Sequence, residues 1–315
     1  MKRTLGLTLL LFATLFSCMR QEKPLPAELS RAESVMWEHP DSALSILRSM
    51  PQSSLSSGKN YATWALLLAQ ARDKVYGKRL PDSLNIPSSD KLVQDAMDYF
   101  EKEGDLKRMA QTYYYKGQLL KDQKKITEAM PFFLKSKEMM TKLDEPLFTY
   151  LICQSLGNMY RYQDLYEESL VQLKDAYQYA LRSGNGERIS YALSELGRTY
   201  VHKNEMDSAL FYFGKSLDNA QRLGNIELEA MAMGELGVVY NKLSQGEKAL
   251  HYTRKELDLC LQISSLHKLP QVYYKIGSAF WSLGQLDSAK VYFQKSLETD
   301  NLYTLNEAYE VLYYI

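Results

Sequence analysis

The chain of 315 residues carries 38 Lys and Arg against 38 Asp and Glu, so its formal charge at pH 7 is zero. That balance argues against recognition of nucleic acid or another polyanion by bulk charge. With 45% apolar residues, 24% charged residues, 9 Pro and 16 Gly, the composition is that of an ordinary folded protein, not of a disordered, collagenous or disulfide-rich one. Length alone predicts about two domains, but that prediction fails if the chain is one array of repeats.

The N-terminal segment has the parts of a secretory signal. Lys2 and Arg3 precede an uncharged, mostly apolar run over 4–16, and Cys18 follows shortly after it. The run is shorter than the roughly 20 residues that a transmembrane helix needs, but it suits the apolar core of a signal peptide. The stretch 15–18, LFSC, resembles the lipobox of bacterial lipoproteins, which implies cleavage after residue 17 and lipid modification of Cys18. A plain signal peptide or anchor is the alternative.

A repeat of 40 residues follows. The glycine at its centre recurs at Gly117, Gly157, Gly197, Gly237 and Gly277. Most copies also have Leu or Ile before the glycine, Tyr or Phe three residues after it, and Ala or Ser twelve residues after it. The residues sixteen positions after the glycine are Phe133, Leu173, Phe213, Thr253 and Phe293. Self-similarity at one fixed period is the signature of a repeat architecture.

Segments such as SELGRTY and GELGVVY, followed by DSALFYF and EKALHYT, resemble the tetratricopeptide repeat, whose pattern is W-x2-L-G-x2-Y…A-x3-F. The place of the Trp is taken by Tyr113, Cys153, Leu193, Met233 and Tyr273. The resemblance is clear over about 105–300 and looser over 28–104, and the long period resembles the longer-helix subclass found in signalling scaffolds and regulators. It implies an all-α fold, a right-handed α-solenoid of antiparallel helix hairpins forming a superhelix.

The spacing of the residues supports helices independently of that resemblance. Tyr113, Gly117 and Leu120 stand at positions i, i+4 and i+7, which form one stripe of a helix. We expect the glycine in this stripe to let a second helix approach closely. Each repeat is therefore predicted to be a pair of antiparallel helices.

Capping residues indicate where these helices begin and end. The second helices are expected to begin at Asp-Ser-Ala sequences, where Asp207 and Asp287 would cap the first free amides. Helix stops are predicted at Gly104, Gly184 and Gly224, each followed by Asn or Asp.

The predicted organisation has five parts. They are a lipoprotein signal peptide over 1–17, a linker over 18–27, degenerate N-terminal helical repeats over 28–104, five repeats over 105–300, and the first helix of an incomplete repeat over 301–315. The next glycine of the series would fall just beyond Ile315. The chain is therefore expected to be a fragment of a longer array, because terminal repeats normally carry a polar outer face. The alternative is a last helix that buries itself against something else.

No pattern in the sequence points to catalysis. The histidines are scattered, and the sequence has no HExxH, CxxC, P-loop or GxSxG motif. We therefore predict no catalytic, cofactor or metal site. Cys153 and Cys260 fall in apolar columns of the repeat, which favours packed thiols, although pairing of two thiols in an exported protein is the alternative.

Polar and aromatic side chains stand at positions turned away from the packing stripe, at about 100° per residue. In the tetratricopeptide family this face of the first helices lines a concave groove, so the resemblance implies a peptide-binding groove here. The candidate groove residues are Tyr114, Gln118, Lys121, Gln154, Asn158, Arg161, Tyr162, Arg198, His202, Asn241, Lys242, Tyr274 and Trp281.

The chosen columns hold four basic groups and one acid, so the groove is expected to carry a net charge of +3. This favours a peptide ligand with acidic and aromatic groups, bound by Arg forks, amides and aromatic faces. The alternative is that these side chains are only the solvated faces of the helices.

Two functions are compatible with these features. The first is a non-enzymatic protein-protein interaction scaffold, lipid-anchored in the bacterial cell envelope and facing the periplasm, with a protein or peptide partner, no cofactor and no nucleic acid. The alternative is the periplasmic sensor region of a truncated, membrane-bound transcriptional regulator. Repeat folds do not by themselves fix function.

Overall fold

Helices account for all regular secondary structure in the part of the chain that the computed structural model describes, residues 24–76, 88–299 and 302–314. The predicted signal peptide over 1–17 and the lipidation residue Cys18 lie outside these ranges. The chain divides into two compact units, 1–122 and 123–315. The predicted all-α solenoid of helix pairs is confirmed.

The first unit contains five described helices. They are α1 (Ala27–Val35), α2 (Pro40–Ser49), α3 (Gly58–Tyr76), α4 (Ser89–Glu103) and α5 (Leu106–Asp122), with a 3-10 turn at Gln52–Leu55. Leu29, Leu47, Leu66 and Phe100 are buried in its core. The indole of Trp64 donates a hydrogen bond of 2.9 Å to the carbonyl of Leu47, which links α3 to α2.

The second unit begins with one helix, which corresponds to the second helix of a repeat, and continues as four helix pairs. Its helices are α6 (Ile126–Lys142), α7 (Pro146–Arg161), α8 (Tyr166–Ser183), α9 (Gly186–His202), α10 (Met206–Leu223), α11 (Ile226–Lys242), α12 (Gly246–Gln262), α13 (Leu269–Ser282), α14 (Leu286–Ser296) and α15 (Leu302–Tyr314), with a 3-10 turn at Leu266–Lys268. The pairs are α7/α8, α9/α10, α11/α12 and α13/α14, and α15 packs on α13 and α14. Short connections make the paired helices antiparallel.

The turns between helices share one backbone conformation. A residue in the left-handed region, with φ between 53° and 76°, occurs every 20 positions at Gly104, Lys124, Asp144, Asp164, Gly184, Asn204, Gly224, Ser244, Ser264 and Gly284. A left-handed residue after the last helical turn is the usual way to end a helix. The predicted stops at Gly104, Gly184 and Gly224 are confirmed.

The starts of the helices are only partly as predicted. The side chains of Asn185 and Asn225 accept hydrogen bonds from the backbone amides of Arg188 and Leu228, the third residues of α9 and α11. Both asparagines are therefore N-caps. The expected capping by Asp207 and Asp287 is wrong, because these residues already lie inside the first turns of α10 and α14 and make no capping hydrogen bond. A negative charge in the first turn still stabilises a helix, because it interacts favourably with the positive end of the helix dipole.

The repeating glycine is the point of closest approach within each helix pair. A Cβ atom on Gly197 of α9 would lie 2.6 Å from the ring of Phe213 on α10, and Phe213 is fully buried. The same relation holds in the other three pairs, where Gly157, Gly237 and Gly277 each face the residue sixteen positions later. The expected role of this glycine is confirmed.

Two further columns complete the core of the helix pairs. Of the residues in place of the family's Trp, Cys153, Leu193 and Met233 are buried, whereas Tyr273 is partly buried. Tyrosines stack across the pairs, with 5.3 Å between the ring centroids of Tyr200 and Tyr212 and the same distance at the equivalent pair one repeat later. Much of the tyrosine content of the chain is therefore structural.

The glycine contact can be tested with one substitution and a matched control. Gly197→Ala should lower the free energy of unfolding, because overpacking costs about 1–3 kcal/mol and exceeds the gain in helix propensity of about 1 kcal/mol. Gly214→Ala, on α10 with open space around its Cβ position, should stabilise the protein slightly. Urea unfolding followed by circular dichroism measures both, and equal effects of the two variants would refute the contact.

Candidate functional site

The candidate site lies on the first helices of the pairs in the second unit, α7, α9, α11 and α13. We call the surface formed by their side chains that point away from α8, α10, α12 and α14 the first-helix face. Residues 40 apart occupy equivalent places on it because each helix with its turn takes 20 residues. The face includes the cleft-lining residues Tyr191, Arg198, Met231, Glu235, Gln271 and Lys275, together with Arg161 and Glu195, which pair with each other and with Arg198.

Ion pairs join the first helices of successive repeats. Arg161 donates from Nη1 to Oε2 of Glu195 at 2.7 Å, and both side chains are buried. Arg198 donates from Nη1 to the other oxygen of Glu195 at 2.8 Å. From Nε and Nη2 it also contacts Oε1 of Glu235, at 2.7 and 2.6 Å. Although burial opposes its charge, the carboxylates of Glu235 and Glu195 raise the pKa of Arg198, so the guanidinium stays charged.

The predicted net charge of +3 included neither Glu195 and Glu235 nor Lys275, which lie on the same face. Glu195 and Glu235 pair with Arg161 and Arg198. Arg161 is only 8% exposed and fully engaged with an acid of its own chain. It is therefore a structural group in this fold, not an open anion-binding site.

A cleft with a volume of about 320 Å³ opens among α9, α11, α12 and α13. Its apolar wall includes Tyr191, which is 40% exposed, and the half-buried Met231. Its charged wall consists of three basic and three acidic residues: Arg198, Lys268, Lys275, Glu227, Glu235 and Glu256. The volume is at the lower end of the roughly 300–1,000 Å³ of ligand pockets, which suits one or two side chains of a larger ligand.

The cations of the cleft already have partners. Lys275 donates from Nζ to Oε1 of Glu256 at 2.7 Å, and Lys268 donates to Oε1 of Glu227 at 2.6 Å. Burial opposes the charge of Lys275, but the nearby carboxylates of Glu256 and Glu235 raise its pKa. Burial opposes the charge of Glu256 as well and raises its pKa, although the positive charge of Lys275 acts in the opposite direction.

Three predicted groove residues belong to the first unit and form a local chain. The Tyr114 side chain is buried, and its hydroxyl accepts a hydrogen bond of 2.9 Å from the amide of Gln118. Lys121 donates from Nζ to the other end of the same amide. These contacts order the side chains within the helix α5.

The remaining predicted residues lie on helices of the second unit with very different exposures. Arg198 alone among the thirteen predicted groove residues lines the described cleft. Tyr162, His202, Lys242 and Trp281 are exposed, whereas Gln154, Asn158, Asn241 and Tyr274 are partly buried. The ring of His202 stacks on Tyr166, and burial, Arg161 and Lys242 together lower the pKa of His202. The hydroxyl of Tyr274 donates to Glu307 of α15 at 3.1 Å.

The acids of the cleft are not among the residues predicted from the sequence. Glu256 occupies a column of the second helices in which every other member is small: Ser136, Ala176, Ser216 and Ser296. Gly234 occupies the matching first-helix column, beside Gln154, Ser194 and Tyr274. Comparing whole columns between repeats would have shown that these two residues depart from their columns in the same repeat.

Within the described ranges, no group of three or more His, Cys, Asp or Glu side chains could hold a metal ion, and no helix there has the length and apolar character to span a membrane. Cys153 and Cys260 are free thiols, both buried. Burial raises the pKa of Cys153 to about 11, so its thiol is a packing group.

The comparisons with known proteins agree with this architecture. The family model described as "Tetratricopeptide repeat" matches residues 110–139 and 270–301, and the chain contains tetratricopeptide repeats. The comparison with curated proteins found no significant match.

Three solved structures illustrate the shared fold. The apo form of RapI is 15% identical, with a TM-score of 0.72 over 91% of this chain and 81% of RapI. The STAND protein PH0952 from Pyrococcus horikoshii, which has a tetratricopeptide repeat sensor, is 17% identical, with a TM-score of 0.70 over 91% of this chain and 44% of that protein. NprR in complex with its cognate peptide NprX is 14% identical, with a TM-score of 0.65 over 93% of this chain and 83% of NprR.

The buried ion pair gives a prediction about stability. Arg161→Met should lower the free energy of unfolding by about 3 kcal/mol, the lower end for loss of one partner of a buried pair, because Arg198 still binds Glu195. The double variant Arg161→Met/Glu195→Gln should lose less than the sum of the two single variants.

Arg182→Met is the matched control, because Arg182 pairs with Asp144 where both side chains are exposed. Its effect should stay within about 0.5 kcal/mol. Chemical denaturation of the four variants measures these differences, and strict additivity of Arg161→Met and Glu195→Gln would contradict the pairing.

Proposed function

We propose that the chain is a non-enzymatic interaction scaffold whose first-helix face binds a peptide segment. The observation that carries this proposal is the cleft among α9, α11, α12 and α13, which combines an apolar wall with closely placed polar groups. An aromatic anchor beside buried, paired charges is typical of binding hot spots. The similarity in fold to NprR, whose structure contains its cognate peptide, supports a peptide as the ligand.

Tyr191 is the strongest candidate anchor in this cleft. It is a large aromatic side chain, 40% exposed on the first-helix face, and Tyr is enriched among the residues that dominate binding energy. Two further aromatic side chains, Tyr162 and Trp281, are exposed. Tyr162 directly follows the last residue of α7, and Trp281 lies in the last turn of α13. Both extend the surface available to a bound peptide.

A peptide selection tests this function. Short random peptides enriched by the purified chain should bind Tyr191→Ala at least about tenfold more weakly, the loss typical of a hot-spot aromatic. Phe211→Ala is the matched control, because Phe211 is 53% exposed but lies on the second helix α10. Isothermal titration measures both affinities. Failure to enrich any peptide, or equal losses in both variants, would count against the proposal.

We further propose that this scaffold is held at a bacterial membrane, facing the periplasm, through lipid on Cys18. The support is the sequence of the N-terminal segment, with its basic start, apolar run and LFSC stretch. One acyl chain gives only marginal membrane binding, so stable anchoring through Cys18 needs a second membrane-binding signal as well.

Lipid labelling tests the anchor. When the full chain is expressed in bacteria with an alkyne fatty acid, Cys18→Ala should abolish the label and release the protein from the membrane fraction. Cys260→Ala should keep both properties, because alanine fills the equivalent places at Ala180 and Ala220. An unlabelled, soluble wild-type chain would refute the anchor.

The second candidate is a sensor region of a longer membrane-bound transcriptional regulator. In PH0952 a tetratricopeptide repeat sensor is part of a signal transduction ATPase with numerous domains, which supports a sensor role within a longer protein. Sequencing the DNA past the codon for Ile315 tests it. An open frame with a DNA-binding domain would support this candidate, and a stop codon would contradict it.

A further inference from the structure

One acid of the cleft comes from the opposite layer of the fold. Glu256 belongs to the second helix α12, yet it lines the cleft on the first-helix face. It can do so because Gly234 of α11 has no side chain. A Cβ atom at residue 234 would lie 2.4 Å from the carboxyl group of Glu256. The glycine therefore makes the space through which the carboxylate reaches the cleft.

This arrangement is unique among the described helix pairs of the second unit. The equivalents of Glu256 are the buried small residues Ser136, Ala176, Ser216 and Ser296. One repeat earlier the two columns meet as Ser194 and Ser216, whose hydroxyls are 3.0 Å apart. The hydrogen bond between two serines in that repeat is thus replaced by a glycine and a carboxylate in the next repeat.

The carboxylate of Glu256 has one oxygen left without a partner. Oε1 accepts the hydrogen bond from Lys275, whereas Oε2 is buried and has no hydrogen-bond partner. A buried acceptor that remains unpaired costs about 1–3 kcal/mol, and more when it is charged. The terminal torsion of a Glu side chain is broad, so a small rotation can present Oε2 to a donor that enters the cleft.

The other charges of the cleft determine which donor fits. Arg198 contacts Glu195 and Glu235, Lys268 contacts Glu227, and Lys275 contacts Glu256 itself. Each lining cation is thus already engaged, whereas the carboxylate of Glu256 offers an open acceptor. An acidic ligand group would have to break an existing pair, but a basic group would complete an incomplete one.

We propose that this cleft receives the side chain of a Lys or Arg residue in the bound peptide, and that the Glu256 carboxylate binds its ammonium or guanidinium group. The inference rests on the proposed peptide-binding function and names the chemistry of the ligand. It replaces the acidic peptide that the sequence alone favoured. The alkyl stem of such a side chain would pack along Tyr191 and Met231.

The test uses short random peptides selected on the purified chain and then bound to variants. Selected peptides should share a Lys or Arg, and replacing that Lys by norleucine, or that Arg by citrulline, should weaken binding to the wild type about tenfold. For Glu256→Gln the basic and the neutral peptide should bind almost equally. Glu256→Ser, which installs the residue found at Ser216 and Ser296, should behave in the same way.

Asp258→Asn is the matched control, because Asp258 is an exposed acid on the same helix; it should keep the preference for the basic peptide. If peptides bind and depend on Tyr191 but contain no required basic residue, or if they are rich in Asp and Glu, the role of Glu256 is refuted while the proposed function stands. An equal loss of both peptides in Glu256→Gln would show a structural effect and also refute it. If no peptide is enriched, the proposed function fails and this inference fails with it.

Discussion

The contact between the repeating glycine of a first helix and the bulky residue sixteen positions later determines the geometry of the second unit. At Gly197 the absence of a Cβ atom lets the ring of Phe213 sit directly against the backbone of α9. The left-handed residues also recur every 20 positions, and the helices from α6 to α12 are 16 to 18 residues long. Residues 40 apart therefore occupy equivalent places, and the first-helix face becomes a set of regular columns.

Regular columns bring charged groups of successive repeats within hydrogen-bonding distance. Arg161 reaches Glu195 and Arg198 reaches Glu235, in each case a residue on the first helix of the next pair. A buried ion pair is weak evidence for net stability because desolvation offsets the attraction. Its effect here is geometric: alternating charges link α7, α9 and α11 and fix the orientation of side chains on the wall of the cleft.

Features that depend on residues close in the chain could be predicted from the sequence. The glycine contact lies within one helix pair, the stops at Gly184 and Gly224 lie within one turn, and the buried column that includes Leu193 follows from helical spacing. Asp207 was misplaced because helix ends are uncertain by one or two residues. The contacts of Arg161 with Glu195 and of Arg198 with Glu235 were missed because the partners lie 34 and 37 residues apart in the chain, where only the packing between helix pairs decides which columns meet.

The pair of Gly234 and Glu256 shows why local consistency matters for locating a site. A glycine inside a helix costs about 1 kcal/mol relative to alanine, and an incompletely paired buried carboxylate adds a further cost. The neighbouring repeat avoids both costs with Ser194 and Ser216, so the scaffold does not require them. Departures from local rules without a structural benefit are expected at functional sites. Both departures place one carboxylate in the cleft. We therefore expect a ligand to bind at this part of the first-helix face.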